Sequence, residues 1–211
     1  MHRTPRPRPA AARAAARTVA ALMLIGGLSA CSALGGDSST DAPTSIAEAK
    51  ADAEAESSAW LDDLTAEDVD AVLTAFQERV GGESAQITQL DASNGVITLY
   101  ATDPAAPEEL NAWSWHDGEV GEESTPVDYG GDTEALEQNV FGIDEVSGAG
   151  IVAAIDAAPG AAEVDGGAAT GLTISRDTPF SLDLKIDVSV TADRGSATVR
   201  TDLDGAVVKV F

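Results

Sequence analysis

Apolar and polar positions alternate most regularly over residues 182–190, where Leu, Ile or Val occupies every second position. Asp, Lys and Ser lie between them, which predicts an antiparallel strand with one face buried and the other in water. Shorter patterns of the same kind, bounded by turns such as Asn94-Gly95 and Asp117-Gly118, predict further strands. The predicted strands span residues 86–90, 96–102, 109–115, 119–123, 171–175, 180–191, 196–202 and 206–211.

After Thr65 the apolar residues instead recur with the period of a helix. Thr65 is a predicted N-cap with Asp68 at the third helical position, and Gly81-Gly82 is the predicted stop. A short connecting helix is predicted over residues 133–140. The first helix has one apolar face, formed by Val69, Val72, Leu73, Phe76 and Val80.

A second long helix, predicted over residues 147–160, belongs to an internal repeat. Residues 61–65 match residues 143–147 at an offset of 82, and residues 116–120 match residues 203–207 at an offset of 87. Such self-similarity indicates two copies of one structural unit. The predicted fold class is therefore α+β, with two tandem copies of a helix packed on a small antiparallel sheet of three to four strands. Because a copy of about 70 residues is marginal for independent folding, we expect the copies to pack together.

The start of the chain has the pattern of an export signal, with five arginines, no acidic residue and an apolar run over residues 18–28. Those eleven residues are too few to span a bilayer, which takes about 20. Leu28, Ser29, Ala30 and Cys31 resemble a bacterial lipobox; the alternative is an ordinary secretory signal with an unrelated cysteine. The resemblance implies cleavage before Cys31, a diacylglyceryl group on that cysteine, and anchoring to the extracytoplasmic face of the cell membrane.

Four segments are predicted from these changes in pattern. Residues 1–30 form the lipoprotein signal peptide, and residues 31–58, rich in Ala, Ser, Asp and Glu, form a lipidated and largely disordered tether. The first helix-plus-sheet repeat covers residues 59–128, and the second covers residues 129–211.

Charge and the scarcity of reactive side chains exclude several classes of function. Removing residues 1–30 takes five of the 12 basic residues and none of the 36 acidic ones, which leaves a net charge of −29. Such a surface repels phosphate backbones, so we expect no nucleic-acid partner. With one cysteine, Cys31, and one histidine after the signal, His116, the chain lacks the usual zinc sets and Cys/His nucleophile pairs. We predict no cofactor, no metal and no enzymatic activity.

Trp113, Trp115 and His116 are the candidate ligand-binding residues. The two indoles are two positions apart on a predicted strand and therefore share a face. They form either an exposed platform for a glycan or peptide, or part of the core opposite the first helix. His116 is either an idle residue at a hairpin turn or, with Asp117 and Glu119, a proton shuttle or weak metal site. The segment from Asp202 to Gly205 resembles the start of a calcium loop but lacks the closing glutamate.

Residues 60–211 resemble a tandem arrangement of PepSY-type modules. The resemblance rests on a helix that ends in Pro-Gly, the strand from Leu182 to Val190, and a closing hairpin at Asp204-Gly205-Ala206-Val207. It implies a non-enzymatic envelope module that contacts another protein or the cell wall. The predicted function is thus a membrane-anchored extracytoplasmic binding module, and the alternative is a carrier or sensor of an apolar ligand held between helix and sheet.

Overall fold

The computed structural model describes residues 59–82 and 85–211. Its strands are β1 (Gln86–Ser93), β2 (Val96–Asp103), β3 (Ala106–His116), β4 (Glu119–Val120), β5 (Thr125–Val127), β6 (Phe141–Gly142), β7 (Ala168–Arg176), β8 (Leu184–Ala192), β9 (Gly195–Thr201) and β10 (Val207–Val210). Its α-helices are α1 (Ala66–Val80), α2 (Thr133–Asn139) and α3 (Gly148–Ala162), and residues 59–62 are also helical.

All the strands of the described residues belong to one antiparallel sheet of ten strands, in the order β10-β9-β8-β7-β1-β2-β3-β4. In addition, β5 pairs with β3 and β6 pairs with β1. The predicted fold class, with a separate small sheet of three to four strands for each copy, is therefore wrong. The two sets of strands merge because β1 pairs directly with β7, which leaves neither strand as an exposed edge.

The seam between β1 and β7 is nearly symmetric about one residue pair. Asp91 lies opposite Thr173, which is 82 positions later in the chain, and the Thr173 hydroxyl donates a 2.8 Å hydrogen bond to Asp91 Oδ1. The N-terminal ends of α1 and α3 also meet, where the Gly148 amide donates a 2.7 Å hydrogen bond to Asp70 Oδ1. The central residue pair of this seam is therefore separated in the chain by the same 82 positions as the first match of the sequence repeat.

Helices α1 and α3 lie on one face of the sheet and bury a single core. The apolar face predicted for α1 is confirmed, since all five of its members are buried. Thr65 caps α1 as predicted: its hydroxyl accepts from the Asp68 amide, and the Asp68 carboxylate accepts from the Thr65 amide. The core continues under α3 and across β7, β8 and β9, where Ile174, Val188 and Val199 are fully buried.

Several predicted boundaries differ from the structure, among them those of α3 and β8. Helix α3 continues past Pro159 to Ala162, because burial of Ala158 and Ala162 holds its last turn on the core, and it ends where Glu163 is left-handed (φ 54°). Strand β8 begins at Leu184 rather than at residue 180, since the segment before it is a loop. The connecting helix is confirmed as α2.

Candidate functional site

The predicted lipidation residue Cys31 and the lipobox residues Leu28, Ser29 and Ala30 lie outside the described residues. Among those that are described, no helix has the length and apolarity needed to cross a membrane. Lipid attachment therefore stays a prediction from the sequence.

The predicted ligand-binding residues fall on opposite faces of β3. Trp113 and Trp115 point to the helix side, where both are half-buried and pack against the core. The Arg79 guanidinium lies 5.2 Å from the centre of the Trp113 ring. His116 is exposed on the other face, with Nδ1 3.2 Å from Asp117 Oδ2. The structure thus brings the two indoles together and separates them from His116.

An open pocket of ≈ 440 Å³ lies beside Trp113. Its floor consists of Glu109, Asn111 and Trp113, which alternate along β3 and so share a face. The C-terminal end of α1, including Arg79, forms one wall, and the turn from Asp103 to Ala105 forms another. We call this site the Trp113 pocket.

A second feature, which the sequence did not predict, is a set of exposed apolar side chains on the loop before β8 and on β10 with the residue that follows it. Among the described residues, every large apolar side chain that is exposed belongs to the loop before β8 or to the end of the chain. Phe180 is 86% exposed, and Leu182 and Phe211 are 58% and 56% exposed. We call this set the edge patch; its members are Phe180, Leu182, Val207, Val208, Val210 and Phe211.

Arg200 connects the two parts of the edge patch. On β9, its guanidinium forms two 2.8 Å hydrogen bonds to the carboxylate of Asp187 and a 2.5 Å hydrogen bond to Asp177, at the start of the loop. The same guanidinium lies 5.1 Å from the centre of the Phe211 ring. The carboxylate of Asp187, above all, raises the pKa of Arg200, despite the opposing effect of burial. The loop and the end of the chain are therefore held together by a permanently charged, fork-shaped donor.

Arg176 also holds the loop before β8 in place. The Arg176 guanidinium donates to the carbonyl of Leu182, and its Nε donates a 3.0 Å hydrogen bond to the carbonyl of Val140. Within the loop, the amide of Asp177 donates to the carbonyl of Asp183. The exposed Phe180 is therefore presented by a well-bonded loop.

Two signals in the sequence could have indicated the edge patch. Val207 and Val208 are consecutive, so both cannot point to the buried face of one regular strand. Phe180 follows a proline and precedes a polar residue, which is typical of a turn. The alternation of apolar residues instead predicts strands over both segments.

The sheet face opposite α1 and α3 carries a polar network at the seam. Asp91 Oδ2 accepts a 2.7 Å hydrogen bond from Gln89, and Oδ1 accepts from Thr173. Partial burial, followed by the charge and hydrogen bonding of Asp91, raises the pKa of Tyr100. Because these groups satisfy one another, the network serves to join the two halves of the sheet.

The structure also bears on the candidate calcium loop, on a metal site and on an apolar-ligand pocket. The carboxylate of Asp202 accepts from the amides of Asp204 and Ala206, which explains this segment as a turn. The described residues contain no group of three or more potential ligands arranged to hold a metal. Between the helices and the sheet, the space lined by residues such as Leu73, Leu90 and Ile151 has a volume of ≈ 10 Å³. That is about the size of one water molecule, so this interior space gives no support to an apolar-ligand carrier.

Comparison with known proteins gives no relative. No protein family model, no curated protein and no solved structure matches this chain. The resemblance to PepSY-type modules is therefore untested, and function must be argued from the geometry.

Proposed function

We propose that this protein is a lipid-anchored, extracytoplasmic interaction module that binds a partner protein of the cell envelope without chemistry. The observation that carries the proposal is the edge patch. Soluble proteins seldom leave several large apolar side chains exposed side by side, and such patches mark interaction surfaces. Among the described residues, the exposed side chains of this kind are confined to β10 with Phe211 and to the loop that Arg200 ties to Phe211, in a chain of 36 acidic and 12 basic residues.

The position of the edge patch favours an extended segment as the partner's contact. β10 ends the order of the sheet, so its outer backbone groups are available for pairing with an added strand. A partner that paired with β10 and also contacted the loop would bury Phe211 and Phe180, and burial of each such side chain contributes about 1.5–3 kcal/mol. The short length of β10 and the charge of Lys209 limit unselective pairing.

Arg200 supports this proposal because it fixes the patch before a partner arrives. Its bonds to Asp177 and Asp187 hold the loop and Phe211 in one arrangement. Preorganisation of this kind lowers the conformational entropy lost on binding. Arginine and aromatic side chains are also the types enriched among residues that dominate binding energy.

The predicted tether places the module near the membrane. Residues 31–58 would reach at most roughly 90 Å when fully extended. The net charge of −29 that follows removal of the signal repels anionic headgroups, so the folded part would stand away from the bilayer. The partner is therefore expected within that distance of the outer leaflet.

Site-specific photocrosslinking in living cells tests the proposal. A benzophenone amino acid replaces Val208 in one strain and, as a matched control, the exposed Thr74 of α1 in another. We expect a discrete protein adduct from position 208 alone, and we expect Phe180→Ser to reduce it while Ser189→Ala leaves it unchanged. Equal adducts at both positions, no adduct, or adducts only with lipid would contradict a partner protein at this edge.

A further inference from the structure

The Trp113 pocket lies far from the edge patch in the order of the sheet. Its floor is on β3, near one end of the strand order, whereas the edge patch borders β10 at the other end. It also lies on the helix-bearing side, in the part of β3 that the C-terminal end of α1 borders. Whatever this pocket binds is therefore separate from the partner proposed above.

We propose that the Trp113 pocket binds a neutral, hydroxyl-rich glycan. This assignment goes beyond the proposed protein-binding function and does not depend on it. It rests on the chemistry of the side chains that line the pocket, on their hydrogen-bonding capacity and on their charges.

The floor of the pocket combines an apolar ring with uncommitted polar groups. The half-buried Trp113 indole packs against the core and lies under the Arg79 guanidinium, so the part of it that lines the pocket offers an apolar contact for the C–H groups of a pyranose ring. The Asn111 side chain, also half-buried, makes no hydrogen bond with any other residue in the described part of the chain. Its amide can both donate and accept, and the Glu109 carboxylate can accept, which together match neighbouring sugar hydroxyls.

The remaining charged groups select against an anionic ligand. Glu109 and Asp103 supply two carboxylates to the lining, and Asp103 already accepts a 2.8 Å hydrogen bond from the Ala105 amide in its turn. Arg79 supplies the one cation among the residues that line the pocket, and its guanidinium already donates to the Glu122 carbonyl. A phosphate or uronic acid would thus meet an excess of negative charge.

Arg79 also selects against a cationic ligand. Its guanidinium lies over the Trp113 ring at 5.2 Å, in the position that a bound ammonium group would take to interact with the ring. A protonated amino sugar would have to displace Arg79 or lie beside it. A neutral sugar carries no charge for Arg79 or the carboxylates to repel; it would lie beside the guanidinium rather than over the ring, and the ≈ 440 Å³ pocket is large enough for a short oligosaccharide.

NMR titration of the full chain in detergent micelles, with ¹⁵N-labelled indoles, tests the assignment. The probes are neutral oligomers of glucose, mannose, galactose and N-acetylglucosamine, together with cationic oligoglucosamine, anionic oligogalacturonate and an apolar tetrapeptide. We expect at least one neutral oligomer to shift the Trp113 Nε1–H resonance saturably, and neither charged oligomer to do so more strongly. The resonance is identified by its loss in Trp113→Phe.

Two variants separate binding from folding. Asn111→Ala should weaken the neutral oligomer roughly tenfold, through loss of paired hydrogen bonds. Ser114→Ala, on the same strand but on the opposite face, should leave binding unchanged. The assignment is overturned if no neutral oligomer shifts the resonance at millimolar concentration. It is equally overturned if a charged oligomer or the tetrapeptide binds more tightly, or if Asn111→Ala binds like Ser114→Ala.

Discussion

Replacement of Gly148 by alanine tests the close approach of α1 and α3. Gly148 is buried at the start of α3, where an added Cβ would lie 2.9 Å from Asp70 Oδ1 and 3.0 Å from the carbonyl carbon of Ala66. It would be closer still to the carbonyl oxygen of Ala66, which belongs to the backbone of the other helix. Backbone cannot move aside as a flexible side chain can, so the helices must separate.

Three contributions determine how far Gly148→Ala changes the free energy of unfolding. Overpacking of this kind costs about 1–3 kcal/mol. Separation of the helices also lengthens the 2.7 Å hydrogen bond from the Gly148 amide to Asp70, and a bond to a charged group contributes about 1.5–3 kcal/mol. Against these, alanine gains up to about 1 kcal/mol of helix propensity. We therefore expect Gly148→Ala to lower the free energy of unfolding by about 2–4 kcal/mol.

Urea unfolding followed by circular dichroism measures this change, and Gly160→Ala is the matched control. Gly160 lies in the same helix, but an added Cβ there meets nothing within 4 Å. The control should therefore be as stable as the wild type or more stable, by up to about 1 kcal/mol. In thermal melts Gly148→Ala should unfold roughly 5–15 °C lower. If both alanine variants stabilise the protein alike, the helices do not meet at Gly148.

Three further substitutions test the cap of α1, the link made by Arg200 and the lipid anchor. Thr65→Ala should cost about 1 kcal/mol at neutral pH in urea unfolding. Because bonds from Thr65 hold the pKa of Asp68 below its ordinary 3.8, that difference should persist above pH 3.8 and shrink as the pH falls through the lowered pKa; a difference that grows on acidification would contradict the capping role. Arg200→Lys loses the fork-shaped contact with Asp187 and should cost about 1–2 kcal/mol, with faster hydrogen exchange over residues 177–183; unchanged exchange there would contradict the link. Cys31→Ala should move the protein from the membrane fraction to the soluble fraction, and its retention in the membrane would contradict the lipid anchor.

The local parts of the fold could be predicted because their signals are local. Thr65 and Asp68 lie within one helical turn, and the turn at Asn94-Gly95 is encoded by two adjacent residues with positive φ. The placement of Trp113 and Trp115 on one face follows from the alternation of β3. Each of these features depends on side chains close together in the chain.

The joining of the sheets could not be predicted in the same way. Pairing of β1 with β7 brings together residues such as Leu90 and Ile174, which are far apart in the chain. The sequence of neither strand indicates which other strand it pairs with. The repeat indicated two equivalent units, and two separate sheets satisfied that pattern as well as one. The edge patch is not predicted for a related reason: Leu182 fits the alternation of β8, although the strand begins only at Leu184.

The two halves of the chain share one sheet and one core. The natural probe is tryptophan fluorescence, because Trp60, Trp113 and Trp115 all lie before residue 129. Val188, on β8 in the second half, is fully buried, and Val188→Ala should cost about 2–3 kcal/mol. The decisive measurement is the urea midpoint of this variant by tryptophan fluorescence and by circular dichroism. A shared core predicts that both midpoints fall together, whereas a fluorescence transition left at the wild-type urea concentration would show that the halves unfold independently.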